Sequence, residues 1–138
     1  MRSIARQLTA RHRVAGLTRR YVAAVREADA VGFRLHTERL ALLGALEVEP
    51  MGPLSAARRV DLEIRQSMLV LEVMSCRHAA NRARGALAIV RSPQFRRWLA
   101  AGDRPAGDVA VVSAFCAAHP GDPRVLGLSV RTELVPAR

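Results

Sequence analysis

Lysine is absent from this 138-residue chain: all 22 basic residues are arginine. Every positive charge is therefore a guanidinium, which stays protonated and grips a carboxylate or phosphate through paired hydrogen bonds. A GC-rich coding sequence is the simplest source of such a bias, so the weight falls on its physical consequence. Aromatics are nearly as scarce, with Tyr21, Phe33, Phe95, Trp98 and Phe115 making up the whole set. Since 50% of the residues are hydrophobic, the chain is not a disordered tail. Its core must be built from Ala, Val and Leu, which favours close-packed helices over a β-sandwich.

Two cysteines, Cys76 and Cys116, are too few for a disulfide scaffold. No apolar run approaches the length of a membrane span, and no secretory apolar segment opens the chain, so a reducing intracellular compartment is expected. The GxGxxG, Walker, GxSxG and HExxH patterns are all missing. Metal spacing is missing as well. Cys76 and His78 sit two residues apart and would point roughly 160° apart on a helix, which leaves Cys116 and His119 as a mere pair. His36 and Glu38 fail to face one another for the same reason. Asp61 and Glu63 are better read as balancing Arg58, Arg59 and Arg65. No catalytic residue, cofactor or metal is expected.

Acidic residues are missing from the first 26 positions, which carry Arg2, Arg6, Arg11, Arg13, Arg19, Arg20 and Arg26 among Ser3, Thr9 and Thr18. That composition fits an organellar transit peptide, and Arg19-Arg20-Tyr21 fits a processing site. A second reading is a basic structural helix, because Val14, Leu17, Tyr21, Ala24, Ala28, Val31 and Leu35 form a seam of threes and fours across the same zone. The seam favours the helix, and an uncleaved targeting signal is compatible with it. Leu17-Thr18-Arg19 is similar to the Leu-Tyr-Arg signature of small helical mitochondrial accessory and assembly factors, with threonine in the tyrosine position. So short a match assigns no family.

What the chain does have is a long helical pattern from Gly52 to Val90. Pro53 suits a first helical position, and neither glycine nor proline recurs before Gly85. At 100° per residue, Ala57, Val60, Ile64, Met68, Leu71, Ser75, Ala79, Ala86 and Val90 share one face. Leu62, Leu69, Cys76, Ala80 and Leu87 share another, turned by roughly 140°. Two stripes predict a helix packed from two sides. Arg77, Arg84 and Arg91 recur at sevens on a third strip, with no acid between Glu72 and Asp103 to offset them or Arg96 and Arg97. These five arginines are the candidate contact for nucleic acid or an acidic partner; the plainer alternative is a solvated face.

Around that helix the punctuation is clear in places. Gly32 is expected to kink or end the first helix, with Thr37 capping a second piece from Glu38 to Leu46. The prolines and glycine of 47–53 then turn the chain. Ser92-Pro93 starts a short helix, ended by Gly102, whose Trp98 is expected to lie on the second stripe. Asp108 is expected to cap a helix over 109–118, with a strand as the alternative, and 120–123 reads as a turn. Leu126, Leu128, Val130, Thr132 and Leu134 alternate with polar or small residues, which predicts a strand seeking a partner's sheet.

The expected fold is mainly α: a long antiparallel helical hairpin plus a short third helix over 1–102, then a C-terminal extension of the same domain, 103–138, ending in an extended or β-strand tail. A formal charge of +10 predicts an acidic partner. The expected function is a small basic non-catalytic structural or assembly subunit of a larger complex, mitochondrial in setting, contacting RNA or acidic protein subunits. The alternative is a free-standing bacterial cytoplasmic helical module that binds DNA or a regulatory protein as a homodimer.

Overall fold

The structure is a computed structural model that describes residues 2–48 and 53–133. It is mainly helical, with five helices and no strand among the described residues. They are α1 (Arg2–Val48), α2 (Pro53–Val90), α3 (Pro93–Ala100), α4 (Asp108–Ala118) and α5 (Pro123–Glu133). None is long and apolar enough to cross a membrane.

The first correction concerns α1, which runs through Gly32 without a break. A Cβ on Gly32 would stand 3.3 Å from the Cβ of Cys76, so this glycine serves close helix approach and not a kink. Thr37 does not cap anything: its hydroxyl donates to the carbonyl of Phe33, one turn back, at 2.9 Å.

The chain divides into two compact units, residues 27–79 and residues 1–26 with 80–138. In the first unit α1 and α2 segments run antiparallel, as three contacts at descending positions show. Gly32 meets Cys76, Glu38 accepts from Arg65 at 3.0 Å, and the carbonyl of Leu46 accepts from Arg59 at 3.1 Å. Leu69 (0% exposed) and Val73 (8%) fill the seam between them. The other stripe stays in water, since Val60, Ile64, Met68 and Leu71 are each more than half exposed. Within this unit α2 is packed from one side.

In the second unit both faces of α2 are engaged: Ala80 and Ala83 are buried, and so are Ala86, Ile89 and Val90. Ala10 and Leu17 from α1 join them in one core with Phe95 and Leu99 of α3, Val111, Val112 and Phe115 of α4, and Val125 of α5. Residues 1–26 therefore contribute directly to this core.

Ser92 starts α3 as its residue type suggests. Its extended backbone (φ −72°, ψ 143°) lets the hydroxyl accept from the Phe95 N–H at 3.2 Å while donating to the Ile89 carbonyl at 2.6 Å. Phe95 is the buried anchor of this helix. Trp98 stays half-buried among Phe95, Phe115 and His119, at ring centroid distances of 5.8, 5.4 and 6.3 Å, so its ring partners lie on α3, on α4 and just past the end of α4. α4 is a helix and not a strand, capped from Gly107, with Asp108 one residue inside.

The tail is the main correction. Where alternation over Leu126, Leu128 and Val130 predicts a strand, the backbone is helical to Glu133; Leu134 lies outside the described residues. Asp122 explains the outcome. Its carboxylate accepts from the Arg124 N–H at 2.8 Å and its carbonyl from the Leu126 N–H at 2.9 Å, with Pro123 at the first helical position. The same residues carry a three-residue spacing, Val125 to Leu128, which points Val125 into the core and Leu128 at Gly85. Leu126 is left 53% exposed.

Candidate nucleic-acid interface

Charge is divided unevenly between the two units. Residues 1–26 and 80–138 carry sixteen arginines against four acidic residues, a formal +12. Residues 27–79 carry six against eight, a formal −2. The whole excess belongs to the first of these, the unit that holds the aromatic core.

Several of its arginines are occupied. Arg13 donates to the carbonyl of Pro105, and Arg20 pairs with Asp108, so α1 holds down the loop before α4. Arg104 donates twice to the Trp98 carbonyl, at 2.8 and 3.0 Å, and stacks over the indole with its guanidinium carbon 4.1 Å from the ring centre. Arg124 spans toward Asp122 at 3.9 Å and Gln94 at 3.5 Å.

Others are not. Arg96 and Arg97 project from α3 into a cleft of about 340 Å³ shared with Ser3, Gln7 and Arg11 of α1. Among the described residues, no side-chain hydrogen bond or ion pair engages the guanidinium groups of these three arginines. A neighbouring cleft of about 290 Å³ is lined by Arg6, Arg13 and Arg104, with Thr9 and Asp103. α1 thus presents basic side chains with hydroxyl and amide groups against α3. Guanidinium forks beside neutral donors are the donor set that phosphate oxygens require.

The chain matches no family model, no curated protein and no solved structure.

Of the five arginines singled out by sequence, Arg96 and Arg97 meet at one cleft, while Arg84 on α2 and Arg91 in the turn after it are exposed in the same unit. Arg77 belongs to the other unit, where it lines a cavity of about 180 Å³ with Asp29, His36, Val73 and Cys76. The residue missed was Arg11, with Gln7 and Ser3 beside it. Its signal was present in the acid-free N-terminus, but nothing in the spacing ties residue 11 to residues 96 and 97.

The other chemistry-bearing groups are quiet. Burial pushes the Tyr21 phenol above its ordinary range, with the Cys116 thiol adding to the effect. Burial likewise raises the Cys116 thiol, helped by the Asp122 carboxylate. Both stay neutral at physiological pH, so Cys116 is a poor nucleophile. His119 stacks on Phe115 at 4.1 Å between ring centres, its Nδ1 3.0 Å from the Phe115 carbonyl. No group of three metal-ligating side chains is assembled among the described residues.

Proposed function

We propose that this protein is a small non-catalytic subunit or assembly factor that holds RNA in a larger complex through its basic unit. The observation that carries the reading is the partition of charge. A formal +12 sits on one helical unit, and Arg11, Arg96 and Arg97 converge on one cleft with no carboxylate among the described residues paired to them. The 27–79 unit carries −2, so the positive charge is concentrated on one unit and not spread along the chain. Phosphate fits the cleft better than a carboxylate-bearing protein surface, since Ser3 and Gln7 add neutral donors to the guanidinium forks. Arg84 and Arg91 extend the contact along α2, and the antiparallel α1–α2 pair serves as the arm that meets other subunits.

The setting we propose is mitochondrial, with any import signal in residues 1–26 retained, because Ala10 and Leu17 are core residues and cleavage after Arg20 would strip them out. The test is a native pull-down of the tagged chain with and without ribonuclease. Retained RNA, and associated proteins that depart with it, support the reading. A protein set untouched by nuclease, with no nucleic acid recovered, would replace RNA by an acidic protein partner.

A further inference from the structure

Among the described residues of the 27–79 unit, no element covers the apolar stripe of α2. Val60 (53% exposed), Ile64 (55%), Met68 (51%), Leu71 (58%) and Met74 (50%) keep about half their surfaces in water. The first four share one face of a regular helix, and Met74 flanks them. Together the five expose on the order of 500 Å², at the upper end of what ordinary monomers leave bare. With the edges Asp61, Arg65 and Glu72 added, the strip approaches the roughly 800 Å² per partner of a standard stable interface.

We infer that a second copy of this chain covers the stripe, α2 against α2, antiparallel about Ile64. The spacing itself is self-complementary: positions 57, 60, 64, 68 and 71 are separated by 3, 4, 4 and 3 residues, the same in either direction. In that register Ile64 meets Ile64, Val60 meets Met68, and Ala57 meets Leu71, so a small side chain faces a large one at each end. Arg65, on one flank of the stripe, is already held by Glu38 at 3.0 Å within the unit, so the pairing rests on the apolar register. The unit that carries the stripe is close to neutral, so its own charge does not oppose self-pairing. The inference is independent of the RNA reading.

Sedimentation velocity on the nuclease-treated full chain in 0.5 M salt, at tens of micromolar, tests it. The wild type sediments at twice the 15.1 kDa chain mass, and Ile64→Glu sediments at the single-chain mass with unchanged helical circular dichroism. Ile64 is largely exposed, so this substitution leaves the core intact. Phe33→Ser, at a 74% exposed position on α1, stays dimeric. In a Cys76→Ala, Cys116→Ala background, Ile64→Cys oxidises to a covalent dimer. Val60→Cys does not, since its two copies lie about 12 Å apart along the helix axes. A wild-type chain of single mass at 100 µM overturns the inference. So does a doubled mass that Ile64→Glu leaves untouched.

Discussion

Replacing Leu17 by alanine separates a structural N-terminal helix from a removable leader. Leu17 is 1% exposed and belongs to the core that gathers α1, α2, α3, α4 and α5. The change deletes three carbons, and at about 0.8 kcal/mol per buried methylene the lost transfer energy is about 2.4 kcal/mol. The cavity adds about 1–2 kcal/mol where neighbours collapse only in part, giving about 3.4–4.4 kcal/mol in total. Against a whole-domain stability of about 5–15 kcal/mol, that is a large fraction. Urea unfolding followed by circular dichroism reads it as a drop in midpoint at constant slope. Leu8, 60% exposed on the same helix, is the internal control, and Leu8→Ala changes the unfolding free energy by less than about 0.5 kcal/mol. A Leu17→Ala loss below 1 kcal/mol, or a chain lacking residues 1–26 that still unfolds cooperatively with the native midpoint, would refute the core assignment.

Ser92→Ala removes both the α3 cap and the bond to the Ile89 carbonyl, and costs about 1–2 kcal/mol in the same unfolding assay. Arg104→Lys loses the paired bonds to the Trp98 carbonyl and the stacking over the indole. It costs about 1 kcal/mol and changes the tryptophan emission spectrum. Gly44 sits inside α1 with open space around an added Cβ, so Gly44→Ala raises stability by about 0.5–1 kcal/mol. Tyr21 and Cys116 both have raised folded pKa values, so the folded chain holds these protons more tightly than the unfolded one. That stability is complete below the unfolded values and is lost as pH rises from about 8.5, toward the folded values. The urea midpoint therefore falls between pH 7.5 and 10, and falls less in Cys116→Ala.

The helical class followed from scarce aromatics and an Ala, Val and Leu core, and the boundary at Ser92-Pro93 followed from local capping chemistry alone. Gly32 misled because a mid-helix glycine weakens a helix and also lets another helix approach, and only the partner, Cys76, decides which effect wins. The tail misled because alternation over a few residues overlaps helical spacing. Val125 and Leu128 satisfy a three-residue period, and the Asp122-Pro123 start lay hidden inside an apparent turn. The two stripes of α2 were visible in the residues, but not that the upstream part of one would stay bare while the downstream part is buried. The cleft was half visible. Arg96 and Arg97 stood out through the lack of acids nearby, whereas Arg11 reaches them through tertiary packing that no local spacing encodes.

The most direct test of the basic cleft is the salt dependence of RNA binding, read by fluorescence anisotropy on a labelled single-stranded oligonucleotide between 50 and 400 mM NaCl. The wild type should bind with a steep linear fall of log affinity against log salt. Substituting Arg11, Arg96 and Arg97 together by glutamine should flatten that slope by about 2, roughly 0.7 for each phosphate contact removed. An affinity indifferent to salt, or a slope that the triple substitution leaves unchanged, would contradict the account.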